Sequence, residues 1–205
     1  MGEEPDRPGA EVSERWMRWR RAIDLEDYDA RWERMLASGD AAHGEADFVT
    51  TLGPTAVLDA GCGTGRVAIE LARRGIEAVG VDLDRDMVDH ARRKAPGLVW
   101  VHGDLATVQL GRTFPVVLMA GNVLLFARPQ DRGAIVANLA GLVAPGGVMV
   151  AGFSLEQGGY TLEEYDDHCA VAGLEVVERW CTWDRDPYGP GSDYHVSMSR
   201  HRCPT

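Results

Sequence analysis

The sequence has few of the features that mark secreted, membrane-bound or metal-binding proteins. Its four cysteines form no C-x-x-C pair and no spacing of metal ligands, so we expect neither a disulfide framework nor a metal site. Residues 1–10 are polar and lack the apolar run of a signal peptide. No stretch has the length and apolarity of a membrane span. These absences predict a cytoplasmic protein with no membrane partner.

Basic residues are also scarce, and Lys94 is the only lysine. The chain has 21 Lys and Arg against 32 Asp and Glu, which gives a formal net charge of −11. A uniformly acidic surface repels phosphate backbones, so a nucleic-acid partner is not expected. The length of 205 residues is enough for one good-sized domain with a substantial core.

The N-terminal part predicts a tail followed by lid-like helices over residues 1–40. Residues 1–12 are expected to be a disordered lead, and Gly39 and Asp40 suit a helix stop. Apolar residues recur at helical spacing in two short segments: Val12, Trp16, Trp19 and Ile23 in the first, and Tyr28, Trp32, Met35 and Leu36 in the second. For Trp16 and Trp19 the favoured interpretation is ordinary helix packing. Residues 41–205 are predicted to form the ligand-binding domain.

From Thr55 onwards, strands and helices alternate. Strands are predicted at 56–58, 78–81, 98–101, 116–120, 148–153, 174–184 and 193–201. Helices are predicted at 42–52, 67–74, 85–94, 129–142 and 161–172. This order predicts an α/β fold with a doubly wound, mainly parallel seven-stranded sheet, a C-terminal antiparallel hairpin and helices on both faces. In such sheets ligands bind at the carboxyl ends of the strands.

A glycine-rich turn gives the strongest chemical signal. The pattern Asp59-x-Gly61-x-Gly63-x-Gly65 follows the first predicted strand and opens a helix. Glycines there let the backbone turn sharply and approach a ligand. A turn without a ligand would not require three alternating glycines preceded by an acid.

Three further strand ends carry polar groups. Asp82 ends the second strand, where a carboxylate can accept hydrogen bonds from both hydroxyls of a ribose. Asp84 is expected to cap the next helix, which leaves Asp82 for the ligand. Asp104 follows the third strand and could accept from an adenine amino group, although for this residue taken alone a turn-forming role is favoured. Gly121 and Asn122 follow the fourth strand, where a transferred group would sit.

Together these motifs resemble the class I S-adenosylmethionine (SAM)-dependent methyltransferases of the small bacterial type, over residues 53–154. The resemblance implies SAM as cofactor and S-adenosylhomocysteine (SAH) as product. It implies that residues 61–65 hold the methionine part of SAM. The remaining cofactor contacts that it implies are Asp82 to the ribose, Leu83 and Met87 along the adenine, and Asp104 and Leu105 at the adenine edge, with Asp59 and Gly121 nearby.

The chain departs from the family pattern in two places. Phe114-Pro115 stands where many relatives have an acid near the start of the fourth strand, and Pro115 is expected at the first residue of that strand. No Asn-Pro-Pro-Tyr motif follows it, which disfavours methylation of nucleobase amino groups. The resemblance therefore favours a small-molecule methyl acceptor.

The acceptor side is predicted less specifically than the cofactor side. Tyr28, Trp32, Asn122 and Tyr160 are proposed to contact the acceptor, because the N-terminal helices and the strand-end loops can cover the site. Methyl transfer from a sulfonium mainly requires a nucleophile held in line, so no catalytic base is assigned. The oligomeric state is not predicted.

Three other functions remain open at this point. One is a SAM-binding sensor or partner protein without catalysis. A second is an NAD(P)-dependent oxidoreductase, which the glycine spacing and the lack of a Tyr-x-x-x-Lys pair disfavour. The third is aminopropyl transfer, which usually needs extra carboxylates around an amine.

Overall fold

A computed structural model describes residues 12–38, 43–155 and 159–202. Most of the predicted N-terminal lead, the Gly39-Asp40 helix stop and Cys203 lie outside the described residues. The boundary proposed between residues 40 and 41 also falls there, so the division of the chain at that point stays a prediction.

A seven-stranded sheet forms the centre of the fold, with the strand order β3-β2-β1-β4-β5-β7-β6. Six strands run parallel and β7 runs antiparallel to its neighbours β5 and β6. The predicted α/β class and the C-terminal antiparallel hairpin are therefore confirmed. The strands are β1 Ala56–Ala60, β2 Glu77–Asp82, β3 Val99–His102, β4 Phe114–Met119, β5 Val143–Ser154, β6 Leu174–Trp180 and β7 Tyr194–His201.

Eight α-helices accompany the sheet in the described residues, and several begin at capping residues that the sequence identifies. The Asp84 side chain accepts from the backbone of Asp86 and Met87. Thr161 and Glu164 form the predicted capping box. The helices are α1 Glu14–Ala22, α2 Leu25–Ala37, α3 Gly44–Thr51, α4 Arg66–Arg73, α5 Arg85–Lys94, α6 Val123–Phe126, α7 Arg132–Ala140 and α8 Leu162–Val171.

Two apolar cores lie on the two faces of the sheet. Alternate residues of each strand point to opposite faces, so Val57 belongs to one core and Leu58 to the other. Helices α3, α4 and α5 cover the first core, and α6, α7 and α8 cover the second. The expectation of helices on both faces is therefore confirmed. This arrangement leaves the carboxyl ends of the parallel strands open for a ligand.

The start of β4 differs from the sequence-based expectation. Pro115 is the second residue of this strand and not the first, and β4 runs from Phe114 to Met119 where 116–120 was expected. The ladder to β5 shifts register between Phe114 and Val116. A proline cannot donate to a ladder, and a bulge is one of the places where a sheet tolerates it. Phe114 pairs with Val143 ahead of this shift, so β5 begins at Val143, whereas the sequence predicted a strand at 148–153.

The predicted helix at 129–142 is shorter and is preceded by elements that the sequence did not indicate. A 3-10 turn spans Pro129–Asp131 before α7, and the four-residue helix α6 follows Asn122. Asn122 has a φ of 67°, and its side-chain oxygen accepts from the backbone nitrogen of Ser154 at 2.7 Å. A helix of one turn has no periodicity to detect in a sequence. The sixth strand ends at Trp180 and not at residue 184.

Two further observations bear on the environment of the protein. No helix in the described parts of the chain is both long and apolar enough to span a bilayer. Cys62, Cys169 and Cys181 are free thiols, and no group of His, Cys, Asp and Glu side chains among the described residues could hold a metal ion.

The fully buried His195 on β7 predicts a specific pH dependence of stability. Burial lowers its pKa to about 3, and the positive charge of Arg179 adds to the effect. The unfolded chain binds this proton near the ordinary value of 6.5, so stability is lost as the pH falls from about 6.5 to about 3. His195→Gln removes this contribution. We expect the free energy of unfolding of the variant to fall less steeply in that range, by at most about 1.4 kcal/mol per pH unit.

Urea unfolding between pH 4 and 8 measures the effect. Asp59, whose folded pKa is raised, contributes an opposite slope that is common to both proteins and cancels in the difference. The two curves should run parallel above about pH 7, where His195 is neutral in both states. If the free energies of unfolding of the wild type and His195→Gln followed parallel curves down to pH 4, the lowered pKa of His195 would be contradicted.

Candidate active site

A cavity of about 190 Å³ lies over the carboxyl ends of the central strands. Its floor consists of the loops that follow β1, β2, β3 and β4, and residues of α1 and α2 form its roof. Most of the residues singled out from the sequence line it: Asp59, Gly61, Gly63, Asp82, Leu83, Met87, Asp104, Leu105, Gly121 and Tyr28.

The glycine loop between β1 and α4 requires glycine for three distinct reasons. Gly61, Gly63 and Gly65 all have positive φ, at 82°, 54° and 83°. A Cβ on Gly61 would lie 2.5 Å from Cγ2 of Val123, so the side chain is excluded by packing. A Cβ on Gly63 would meet only the sulfur of Met87, at 3.7 Å, and Gly63 lines the cavity. Its missing side chain therefore leaves space beside the backbone for a ligand.

Asp82 joins the glycine loop to the start of α5. One carboxylate oxygen accepts from the backbone nitrogen of Gly63 at 2.8 Å, and the other accepts from that of Asp84 at 2.9 Å. Burial raises the pKa of this carboxyl group above its ordinary value. Each oxygen has a second lone pair, so the group can accept further hydrogen bonds from a ligand in the cavity.

Asp59 is a buried carboxyl group in the floor of the cavity. It is 2% exposed, and one oxygen accepts from the backbone nitrogen of Ala68 at 3.1 Å. Burial raises its pKa to about 7, against the opposing effects of that hydrogen bond and of Arg66. The side chain therefore fixes the first turn of α4 and contributes negative charge to the floor at or above neutral pH.

A more apolar part of the cavity wall includes Leu83, next to Asp82 in the chain. Leu83, Met87 and Leu105 line it, and Asp104 contributes a carboxylate. Asp104 also accepts from the backbone nitrogen of Ala106 at 2.9 Å, so it does form a turn. His102 contacts the carbonyl oxygen of Leu83 through its Nε2 at 3.0 Å, which ties the ends of β2 and β3 together.

Aromatic rings from the N-terminal helices and from α6 form part of the roof. Trp16, Trp19, Tyr28 and Phe126 line the cavity, and the Trp19 ring lies 5.0 Å from Phe126 and 5.9 Å from Tyr28 between centroids. The sequence interpretation favoured ordinary packing for Trp16 and Trp19; Trp19 does pack against these rings, and both tryptophans also line the cavity. Their spacing of three residues places both on one face of α1, but which surface that face covers depends on distant residues.

Two polar clusters attach this roof to α5. Asp29 of α2 accepts from the hydroxyl of Thr64 in the glycine loop at 2.6 Å, and it contacts His90 and Lys94 at 2.9 and 2.5 Å. Arg20 of α1 contacts the helix cap Asp84 at 2.5 Å. The roof is therefore connected to the same loop and cap that Asp82 holds.

Comparison with known proteins agrees with this geometry. Residues 57–147 match a family model described as a methyltransferase domain. The crystal structure of a TehB-like SAM-dependent methyltransferase from Corynebacterium glutamicum is 32% identical, covers 86% of this chain and 97% of that chain, and superposes with a TM-score of 0.80. The chain belongs to the class I SAM-dependent methyltransferases.

Curated relatives of this methyltransferase family match a smaller part of the chain. A dTDP-3-amino-3,4,6-trideoxy-alpha-D-glucopyranose N,N-dimethyltransferase from Streptomyces venezuelae is 36% identical over 51% of this chain and 46% of its own length. A magnesium-protoporphyrin O-methyltransferase from Rhodobacter capsulatus is 41% identical over 40% of this chain and 38% of its own length. The chain thus spans less than half of these two relatives.

The cavity of this methyltransferase fits SAM better than a nicotinamide dinucleotide. Its floor combines three carboxyl groups, Asp59, Asp82 and Asp104, with the backbone of Gly61 and Gly63. A pyrophosphate would meet repulsion from these acids, whereas the ammonium and sulfonium groups of SAM would be attracted. Asp82, Leu83, Met87 and Asp104 line one part of this cavity, and Gly61 and Gly63 of the glycine loop line another.

Four predicted site residues lie outside the cavity wall. Gly65 packs against Trp100, since a Cβ there would lie 2.4 Å from the Trp100 ring. Trp32 stacks under the Arg66 guanidinium, 4.1 Å from the ring centroid. Asn122 is bound to β5 through Ser154. Tyr160 is 3% exposed within the second core, where its hydroxyl bonds His168 at 2.7 Å. These placements make Gly65 and Tyr160 packing residues of the fold.

Proposed function

We propose that this chain transfers the methyl group of SAM to a small-molecule acceptor by in-line displacement. The observation that carries the proposal is the continuity of the cavity. Its wall runs from the cofactor loops to the roof residues Trp16, Trp19, Tyr28 and Phe126. A second small molecule held under this roof would face the cofactor in an enclosed space, which is the arrangement that group transfer requires.

The residues of the chain contribute mainly position and exclusion of water. Bound SAM would supply a methyl group on a cationic sulfur, which is a strong leaving group. The glycine loop and Asp82 hold the nucleoside and the methionine part on the floor. Aromatic faces in the roof attract a cation and keep water away from the reacting centre.

The character of the cavity wall favours an acceptor that needs no strong base. No histidine is among the residues that line the cavity in the described part of the chain. Burial raises the pKa of the Tyr28 hydroxyl, so it remains protonated at neutral pH and can donate a hydrogen bond. An ionised oxygen, or the fraction of an amine that has lost its proton to solvent, offers a lone pair without a base in the wall. The resemblance to an amino-sugar N,N-dimethyltransferase supports an amine in particular.

The proposed acceptor is a small molecule and not a nucleic acid. The net charge of −11 opposes binding to phosphate backbones, and two matched relatives carry names of sugar and porphyrin methyltransferases. A cytoplasmic location remains the prediction made from the sequence, and three free thiols in the described residues agree with it.

A labelled-cofactor experiment tests the proposed activity. The protein is incubated with SAM that carries a trideuteriomethyl group and with fractionated extracts of small molecules, and products are identified by mass spectrometry. We expect SAH and one class of labelled amine or oxygen compound to accumulate together. The variant Asp82→Asn serves as the control and should yield much less of both products at a SAM concentration that does not saturate it.

Two results would overturn the proposal. Tight SAM binding without label transfer to any fraction would favour a SAM-binding sensor. Tight NAD binding with no SAM binding would favour the oxidoreductase alternative.

A further inference from the structure

A buried arginine at the start of α7 carries a charge that no neighbouring carboxylate neutralises in the described part of the chain. Arg132 is 5% exposed. Its Nε donates to the carbonyl oxygen of Leu124 at 3.0 Å, and its Nη1 donates to that of Gly159 at 2.7 Å. Both of these acceptors are neutral. An arginine is rarely buried without a charged partner, because the loss of its hydration is then not repaid.

The guanidinium of Arg132 also has donors to spare. It carries five N–H groups, and the two bonds to Leu124 and Gly159 use one each. Nη2 has no partner among the described residues. This nitrogen keeps contact with solvent, since it is not one of the unpartnered side-chain atoms that the fold seals off. The group can therefore donate hydrogen bonds to an oxyanion that approaches from solvent.

The acids near Arg132 are engaged elsewhere. Glu164 of α8 attracts the guanidinium electrostatically, but its carboxylate accepts from the backbone nitrogen and the hydroxyl of Thr161 in the capping box. Asp131 accepts from Arg128 in a bidentate pair. Neither carboxylate lies within ion-pair distance of Arg132, so the place of a counter-ion remains open.

Arg15 of the roof helix α1 adds a second positive charge at this place. Burial lowers the pKa of the Arg132 guanidinium, and the charge of Arg15 lowers it further, against the attraction of Glu164. An arginine nevertheless stays protonated at neutral pH. Two like charges therefore lie close together where α1 approaches α7, and an anion bound beside them would relieve their repulsion. Arg15 and Arg132 are called the cationic site below.

The cationic site adjoins the roof end of the cavity. Arg128 and Asp131, which shortly precede Arg132 in the chain, line the cavity. The bond from Arg132 to the carbonyl oxygen of Leu124 also holds α6, which carries Phe126 of the roof. The floor at the opposite side is acidic. A molecule with one anionic end would therefore be repelled by the floor and attracted towards α1 and α7.

We propose that Arg132 and Arg15 bind an anionic group, a carboxylate or a phosphate, that the methyl acceptor carries at the end away from its reacting atom. The inference rests on the proposed function, since that function places an acceptor under the roof. It narrows the acceptor to a compound that has an acidic group besides the amine or oxygen that is methylated. The bound anion orients the nucleophilic end of the acceptor towards the cofactor.

Calorimetric titration with inorganic phosphate and with acetate, at constant ionic strength, tests the cationic site. The protein is first saturated with SAH, so that anions cannot occupy the cofactor part of the cavity. We expect the wild type to bind at least one of the two probes. Arg132→Gln should bind that probe about tenfold or more weakly, as the loss of a charge-assisted hydrogen bond would give. The probe that binds more tightly identifies the acidic group as a phosphate or a carboxylate.

Matched variants separate anion binding from a structural role of Arg132. Arg73→Gln removes an exposed arginine and should leave anion binding unchanged. Arg132→Lys keeps the charge and should keep most of the affinity. Arg15→Gln changes a helix without buried residues, which makes it the variant to use if Arg132→Gln does not fold, and it should weaken binding by about two- to fivefold.

Urea unfolding gives a second measure of the same site. The anion that binds should raise the free energy of unfolding of the wild type and should not raise that of Arg132→Gln, because a ligand stabilises only the folded protein that binds it. The site would be disproved if neither probe bound to the wild type, or if Arg132→Gln bound the probe as tightly as the wild type does.

Fractionation of the small-molecule extract on an anion-exchange resin tests whether the acceptor carries the anion. Label from trideuteriomethyl SAM should enter compounds of the fraction that the resin retains. With such an acceptor, Arg132→Gln should raise KM about tenfold or more and change kcat little, since the anion lies away from the reacting atom. Label found only in the unretained fraction would overturn the proposal.

Failure of this inference differs measurably from failure of the proposed activity. Anion binding that depends on Arg132, in a protein that transfers no label to any fraction, would support the cationic site and contradict methyl transfer. Label transfer by a protein that binds neither phosphate nor acetate would retain the activity and remove the cationic site.

Discussion

The variant Asp82→Asn is expected to bind SAM about 100-fold more weakly than the wild-type protein. Asp82 accepts from the backbone of Gly63 and of Asp84, and it is proposed to accept from the ribose of the cofactor. An asparagine has one acceptor oxygen and turns an N–H towards a group that itself donates. A hydrogen bond to a charged group contributes about 1.5–3 kcal/mol, and the loss of one bond near the upper end of that range accounts for the expected factor. Calorimetric titration with SAM and SAH measures it.

Asp89→Asn provides the matched control for this variant. Asp89 lies on α5 shortly after Asp82, is 45% exposed at its side chain and pairs with Arg92 of the same helix. An exposed pair of this kind contributes little, so SAM affinity should change by less than about twofold. If Asp82→Asn bound SAM as tightly as Asp89→Asn, the ribose contact and the role of Asp82 in the loop would both be wrong.

The variant Gly65→Ala is expected to lower the free energy of unfolding by about 2–5 kcal/mol. Two costs combine at this position. A left-handed conformation costs an alanine about 1–2 kcal/mol, and φ here is 83°. The new Cβ would also lie 2.4 Å from the Trp100 ring and 3.0 Å from Cβ of Ala91, which adds about 1–3 kcal/mol of overpacking. The ring cannot move away freely, since Gly80 packs against its other atoms.

Gly75→Ala separates the two costs. Gly75 has nearly the same φ, 82°, but a Cβ there would meet no atom within 4 Å. We therefore expect this variant to lose only the backbone part, about 1–2 kcal/mol. Urea unfolding of both variants measures the difference between their free energies of unfolding. The dependence of that free energy on urea concentration should be the same in both variants. Equal losses would show that the contact with Trp100 carries no cost.

The cofactor half of the site could be predicted from the sequence because its signals are local. The residues 59–65 lie between a strand and a helix, so their spacing alone predicts a ligand-binding turn. Asp82 and Asp84 have separate roles: Asp82 accepts from the backbone nitrogen of Asp84, and Asp84 caps α5 by accepting from that of Asp86. Both hydrogen bonds join residues two positions apart in the sequence. Each of these predictions depends on fewer than ten consecutive residues.

The acceptor half could not be predicted in the same way. Trp19 becomes part of the cavity roof through contact with Phe126, and Ser13 binds the carbonyl oxygen of that same Phe126 at 2.5 Å. These partners are more than a hundred residues apart. Tyr160 was expected near the acceptor, yet the position of α8 buries it beside Phe153 and His168.

The sequence by itself determined that strands and helices alternate and that the strands form a mainly parallel sheet. It also determined the chemistry of the loop at residues 59–65. Periodicity, turn residues and glycine spacing are properties of consecutive residues, so they can be identified without knowledge of the fold. The tertiary structure alone decided which aromatic rings cover the cavity, why Gly65 faces Trp100, and that Arg66 stands beside Asp59. Those facts depend on side chains brought together by long-range packing, and no local pattern encodes such a juxtaposition.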